Sequence, residues 1–331
     1  MAQGAEAAPR AQIRGDMDAE LRAMLERAVG EVDDAPESRF EARRNARSVA
    51  EAAESLLRSE GYYQPVLEDL VEGDDSPVAI VSVQPGRRFL LTEPAVRWTD
   101  PAPDARSAED ARAAIDLEAG DPGRAVEVIA GEGRLVAALT RVGYADARAE
   151  PRRVVVDHAA FTVAPEYRVA SGALVRLDGL SVQRRTRTNP AWLNGLRPWE
   201  EGAVYDPELV AELERRLLET GVYDGVSVAL SPQDQTNAGG LRPIVVTLTD
   251  RPRWVQEAGI TISTAQATVT AGRADSATGG SAIEGLWTYY NRYGRADTLA
   301  FQARLAEVYS RLGADLKLPH WRRPGQTLSL G

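Results

Sequence analysis

The chain contains no cysteine, two histidines and a single lysine, Lys317. Without cysteine there are no disulfides, no Cys-ligated zinc, no iron–sulfur clusters and no thiol nucleophiles. His158 and His320 are too few for a histidine-rich metal site. Long apolar runs are missing too. The longest stretch without formal charge runs from Ala258 to Gly272, and Thr and Ser fill much of it. A membrane-spanning helix needs roughly 20 mostly apolar residues, so none is encoded. Positive charge is also short. Lys and Arg number 39 against 49 Asp and Glu, a net charge of -10, which gives no broad footprint for nucleic acid. What remains is 331 residues, 44% hydrophobic and 27% charged. That is a chain of two or three domains with real cores, not a disordered one.

No catalytic signature stands out. The sequence has no Gly-x-Ser-x-Gly elbow, phosphate loop, dinucleotide fingerprint or His-Glu-x-x-His. Asp33-Asp34 and Asp74-Asp75 read as solvated turns beside Pro36 and Gly73. His158 falls in an expected hairpin turn, and His320 in the strand-connecting turn Pro319-His320-Trp321. Arg184-Arg185-Thr186-Arg187 reads as a solvated basic loop. These residues point to no enzyme and no cofactor.

An internal repeat organises the first 253 residues. Three amphipathic helices each close on glycine followed by aromatic residues: Gly61-Tyr62-Tyr63, Gly143-Tyr144 and Gly221-Val222-Tyr223. The glycines recur at intervals of about 80 residues, which implies units of one size. In the third copy Asp206 caps the helix, Pro207 takes its first position and Gly221 supplies the left-handed exit. Leu209, Leu213 and Leu217 form its apolar stripe. Ala46, Val49, Ala53 and Leu56 do so in the first copy, and Ile129, Leu135, Leu139 and Val142 in the second.

Each glycine is followed by two strand-like runs. They are Val66–Leu70 and Val78–Val83, then the runs around Val154-Val155-Val156 and Phe161-Thr162-Val163, then Val226–Leu230 and Ile244–Thr249. A strand and a shorter helix precede each long helix: the Ile13 remnant with the helical pattern from Asp18, then Phe89–Trp98 with Ser107–Leu117, then Leu174–Asp178 with Asn189–Leu196. The order is β-α-α-β-β, an α+β unit whose two helices cover one face of a small mixed sheet.

Beyond Arg253 the helical period gives way to alternation. Ile260–Thr264, Ala282–Tyr290, Thr298–Ala306 and Val308–Leu318 read as strands. Leu299, Phe301, Ala303 and Leu305 oppose Gln302 and Arg304, and Leu312, Ala314, Leu316 and Leu318 oppose Arg311, Asp315 and Lys317. Trp287, Tyr289, Tyr290, Tyr293, Tyr309 and Trp321 sit near strand ends, where an aromatic girdle would lie. The pattern fits an outer-membrane barrel and equally an antiparallel sheet with one wet face. Gln326–Gly331 reads as one more strand, without a partner in the pattern, and both ends of the chain read as cut from a longer one.

Three β-α-α-β-β units with Gly-aromatic helix ends, followed by barrel-like strands, resemble the BamA superfamily with its POTRA domains, and within it the TamA family most. Gly61-Tyr62-Tyr63-Gln64-Pro65 is similar to that family's first POTRA domain. Trp199-Glu200-Glu201-Gly202, Leu213, Leu217, Thr220-Gly221 and Val226-Ser227-Val228 are similar to its third.

The resemblance implies a disordered or truncated N-terminus at 1–11, POTRA domains at 12–86 (first strand incomplete), 87–171 and 172–253, and the first antiparallel strands of a truncated barrel at 254–331. It implies a Gram-negative outer-membrane protein with its POTRA arm in the periplasm. The implied partners are a TamB-like inner-membrane-anchored protein, unfolded outer-membrane clients and outer-membrane lipid, with no nucleic acid. A small sheet can accept an extended segment at its edge through main-chain hydrogen bonds. The expected edges are Val66, Leu67 and Glu68, and Val226, Ser227 and Val228, while the Gly-aromatic residues are structural. A BamA-like protein, a two-partner secretion transporter and a periplasmic scaffold without a barrel are the alternatives. The family's signal peptide, its late-loop Arg-Gly-aromatic motif and the rest of its barrel have no counterpart in this sequence.

Overall fold

The computed structural model describes residues 8–32, 35–99, 101–263, 280–306 and 310–331. Asp33-Asp34 and Tyr309 lie outside the described residues. The chain forms two compact units, Met1–Thr140 with Asp146–Ala173, and Arg141–Ala145 with Leu174–Gly331.

The first unit opens with β1 (Ala8–Pro9), β2 (Gln12–Arg14), α1 (Ala19–Val29), β3 (Glu31–Val32), α2 (Arg39–Ser59), β4 (Val66–Glu72) and β5 (Val78–Gln84). Asp18 accepts the Leu21 N–H at the start of α1, and Ser38 accepts that of Glu41 at the start of α2. β5 is central, parallel to β2 and antiparallel to β4. Leu25, Ala46, Val49, Leu57, Val81 and Val83 fill the core. Full burial of such a side chain contributes about 1.5–3 kcal/mol. Order starts earlier than the expected residue 12, because Ala8–Pro9 pairs with Glu31–Val32 and Ala11 is buried.

A second sheet follows: β6 (Leu90–Leu91), β7 (Ala95–Thr99), α3 (Ala105–Ala113), α4 (Ala125–Arg141), β8 (Arg148–Asp157) and β9 (Thr162–Ala170). The strand expected over 89–98 is broken into β6 and β7, both parallel to β9. Pro94 lies in the break, where it has no N–H to give a ladder. The buried face of α4 also differs from the expected one. Val128, Gly131, Leu135 and Leu139 point inward, while Ile129 and Val142 are exposed. Gly131 decides this rotation. A Cβ there would lie 2.9 Å from the Tyr167 hydroxyl, which donates to the Val128 carbonyl at 2.8 Å.

The second unit contains β10 (Arg176–Val182), α5 (Pro190–Asn194), α6 (Pro207–Glu219), β11 (Tyr223–Leu230) and β12 (Leu241–Asp250). β12 is central, parallel to β10 and antiparallel to β11. Asp206 accepts the Glu208 N–H, Pro207 opens α6, and Val210, Leu213 and Leu217 are buried. Each of the three small sheets therefore combines parallel pairing, through two short strands in the second sheet, with one hairpin.

The same unit ends in a five-stranded antiparallel meander: β13 (Trp254–Ser263), β14 (Gly280–Tyr290), β15 (Thr298–Ala306), β16 (Arg311–Leu318) and β17 (Leu328–Leu330). The last segment does have a partner, since Leu328–Leu330 pairs with Leu316–Leu318. Among the described residues no helix is long and apolar enough to cross a membrane, which says nothing of strands.

Candidate functional site

Sheet edges come first. β4 is an outer strand of the first sheet and β11 an outer strand of the third, in separate compact units. Val66 and Glu68 are exposed, and Leu67 packs against the first core. Ser227 is exposed and Val226 half-buried, whereas Val228 is only 8% exposed and belongs to the core with Leu213 and Val246. β8 is the outer strand of the second sheet, with Val154 and Val155 exposed. The valine run at 154–156 is the sequence signal for it. Nothing in the sequence marks it as an edge, because pairing is a long-range outcome.

The Gly-aromatic residues form joints. Gly61 adopts φ 93°, Tyr62 N–H reaches back to the Leu57 carbonyl at 2.8 Å, and the Gly61 carbonyl accepts the Phe89 N–H at 2.8 Å. Tyr63 donates to the Gly123 carbonyl at 3.2 Å, and its ring meets Phe89 edge-on. Burial pushes the Tyr63 hydroxyl pKa up. Glu60 lies between Arg88 at 3.0 Å and Arg124 at 2.9 Å, with its side chain 15% exposed. These contacts tie the first sheet's helix to the start of the second sheet. Gly143 adopts φ 107° and its carbonyl accepts the Val175 N–H at 2.9 Å, while Tyr144 is buried. Gly221 exits α6 at φ 71°. Tyr223 is buried, and its hydroxyl shares a 2.7 Å hydrogen bond with Thr188.

Thr188 also receives Asn291 Nδ2 at 2.9 Å, linking the third sheet to the turn between β14 and β15. That turn is seated firmly. Its Gly294 carbonyl accepts the Asn189 N–H at 2.8 Å, and Ala296 sits in the third core. Asp297, 0% exposed, accepts the N–H groups of Arg292 at 3.0 Å and Tyr293 at 2.8 Å. Tyr290, expected in a girdle, instead packs against the third core beneath the Arg251 guanidinium.

The meander has two unlike faces. Cross-strand partners share a face, so Trp254, Ala258, Ile260, Ile283, Trp287, Tyr289, Leu299, Phe301, Ala303, Leu305, Leu312, Ala314 and Leu316 lie together. Ile260 is 75% and Leu312 81% exposed. The other face carries Glu257, Glu284, Gln302, Arg304, Arg311, Asp315 and Lys317. There Arg304 pairs with Glu284 at 3.3 Å, and Gln302 donates to Asp315 at 3.1 Å. At the end of the apolar face nearest the third sheet, Trp254 meets Trp287 edge-on and Trp287 stacks on Tyr289. Tyr293 is exposed beside them in sequence, and Trp321 is half-buried.

The remaining candidates are ordinary. Asp74 pairs with Arg39 at 2.6 Å, His158 is exposed in its turn, and Arg187 donates to the Arg251 carbonyl at 2.7 Å. Among the described residues no group of three acidic or histidine side chains is placed to hold a metal.

No protein-family profile matches the chain, and no curated protein matches it. Solved structures do. BamA from Haemophilus ducreyi lacking POTRA domains 1-3 aligns with a TM-score of 0.56 and 16% identity, covering 73% of this chain and 42% of that one. CdiB from Escherichia coli aligns at TM-score 0.35 and 16% identity over 86% of this chain and 48% of that one. The chain thus spans less than half the length of either protein. The BamA alignment shows the fold: small α+β units leading into antiparallel strands.

Proposed function

We propose that the chain is part of an Omp85-superfamily outer-membrane assembly or secretion protein, and not an enzyme. Residues 12–86, 87–171 and 172–253 form a periplasmic arm of three POTRA domains, and residues from 254 begin a barrel. Within that class it is a TamA-like protein, on the Gly-Tyr-Tyr-Gln-Pro sequence and the three-unit repeat.

The meander carries this reading. A five-stranded sheet with one exposed, mostly apolar face, interrupted by Gln256, and an opposite face rich in charge suits lipid outside and water inside. Strands satisfy their backbone groups by closing into a barrel, so no apolar helix is needed. The arm then meets a TamB-like inner-membrane-anchored partner and unfolded outer-membrane clients. Edges β4 and β11 accept extended segments by main-chain pairing, which tolerates varied client sequences.

Fractionation of cells expressing the full-length protein tests this. It is expected in the outer membrane, with gel migration that shifts on heating, and recovery in the periplasmic fraction overturns the barrel reading. Proline at Val228 would disturb the core, so the edges are better probed by photo-crosslinkers at the exposed Glu68 and Ser227. Crosslinks to the TamB-like partner or to clients are expected. Their absence at both positions, with controls elsewhere on the arm reacting, removes the edge mechanism.

A further inference from the structure

The turn joining β16 to β17 folds back onto α6. His320 holds it there: Nε2 lies 3.1 Å from the Arg216 carbonyl, and Nδ1 accepts the Gly325 N–H at 2.9 Å. With Nδ1 accepting, the ring is neutral and its proton sits on Nε2, which donates to Arg216. Its ring centroid is 6.2 Å from that of Trp192. Positive φ at His320 and Arg322, 53° and 62°, gives the turn a particular shape that these long-range bonds hold.

A cavity of about 210 Å³ lies between this turn, α5 and the β14–β15 turn, and Trp192, His320, Trp321, Arg295, Arg322 and Arg323 supply its chemistry. Among the described residues no acidic side chain lines it, in a chain of net charge -10. All three arginines are exposed, and none makes an ion pair among the described residues. Three exposed guanidinium groups without a paired counter-charge line one cavity, an arrangement that favours an anion. Leu318, at the end of β16, also lines the cavity. By register it lies at the end of the meander where Trp254, Trp287 and Tyr289 cluster.

We propose that this cavity binds the phosphate of an anionic membrane lipid at the periplasmic surface of the bilayer. Guanidinium forks suit phosphate oxygens bidentately, and Trp rings sit well at the boundary between headgroup and acyl chain. The neighbouring apolar face takes the acyl chains, which is why a lipid fits better than free phosphate. The site would fix the depth of the sheet in the membrane at the point where the third sheet joins it. This inference rests on the reading of the meander as membrane-spanning.

The test uses the full-length protein reconstituted into phosphatidylcholine nanodiscs containing a minor fraction of phosphatidylglycerol. The lipid that stays bound after transfer to detergent is then counted by mass spectrometry. Wild type is expected to retain phosphatidylglycerol in preference to phosphatidylcholine. Replacing all three arginines (Arg295→Gln, Arg322→Gln and Arg323→Gln) should lower that preference at least tenfold, because each basic residue near a membrane surface changes anionic-lipid binding by roughly fivefold. The matching lysine triple variant keeps the charge and should keep most of the preference. Equal retention by wild type and the glutamine variant overturns the proposal. So does complete displacement of phosphatidylglycerol by millimolar inorganic phosphate, which would mark a free-phosphate site. Failure of wild type to enter phosphatidylcholine nanodiscs is a separate result, and it would overturn the membrane reading itself.

Discussion

Replacing Thr188 by valine removes one hydroxyl at nearly constant volume, at a position only 4% exposed. That oxygen serves the Tyr223 hydroxyl at 2.7 Å and Asn291 Nδ2 at 2.9 Å, and Thr186 approaches it at 3.1 Å. Tyr223 and Asn291 are themselves buried, so water cannot replace the lost partner. Leaving a buried polar group unsatisfied costs about 1–3 kcal/mol, so two of them make Thr188→Val destabilising by about 2–6 kcal/mol. Thr188→Ser keeps the hydroxyl and gives up one methyl, about 1 kcal/mol. At roughly 2–4 °C per kcal/mol for a domain of this size, thermal unfolding should separate the two variants clearly. Tyr223→Phe removes one of the stranded groups. Combined with Thr188→Val it should cost less than the sum of the single changes, by about 1 kcal/mol or more. Calorimetry on the four proteins of the cycle measures this. Additive effects, with the valine variant no worse than the serine one, would refute the idea that Thr188 joins the third sheet to the meander.

Burial pushes the Tyr167 and Tyr223 hydroxyls up from 10 to about 12, and the Thr188 hydrogen bond partly opposes the shift at Tyr223. Folding therefore favours their neutral forms. That stability is fully present below pH 10 and is lost as pH rises towards 12, by up to about 3 kcal/mol for each residue. Absorbance titration should show Tyr167 and Tyr223 among the late-ionising tyrosines, titrating together with unfolding, and smooth titration of all ten near pH 10 without loss of structure would contradict this. At the joint between the first two sheets, Glu60→Gln weakens contacts with Arg88 and Arg124 in a largely buried setting. It should cost about 2–3 kcal/mol in urea denaturation. Glu72→Gln, whose partner Arg14 is half exposed, should cost less than about 1 kcal/mol, and equal losses would remove the special role of Glu60.

Much of the local structure is legible in the sequence, because its causes lie within a few residues. Asp206, Pro207 and Gly221 bound α6 by capping, a pre-set φ and a left-handed exit, all of which act inside one turn of chain. The strict alternation through Thr298–Ala306 sorts its side chains to two faces because the period of a strand is two.

Where long-range contact decides, the pattern fails. Ile129 and Val142 belong to the apolar stripe of the second long helix by type, yet both are exposed, because Tyr167, arriving from β9, closes on Gly131. Tyr290 has the composition of a girdle residue but packs against the third core, since the turn that follows it is held by Thr188 and Asn189 a hundred residues earlier. His320 reads as a bare turn residue until α6 brings the Arg216 carbonyl to it.

By itself, then, the sequence determined the repeat, the helices and the two-faced strands, all short-range consequences of backbone geometry and residue type. The tertiary structure alone decided which strands became edges, which aromatic residues turned inward and which arginines gathered without counter-charge. Those outcomes depend on contacts between segments far apart in the chain, and no local pattern encodes them.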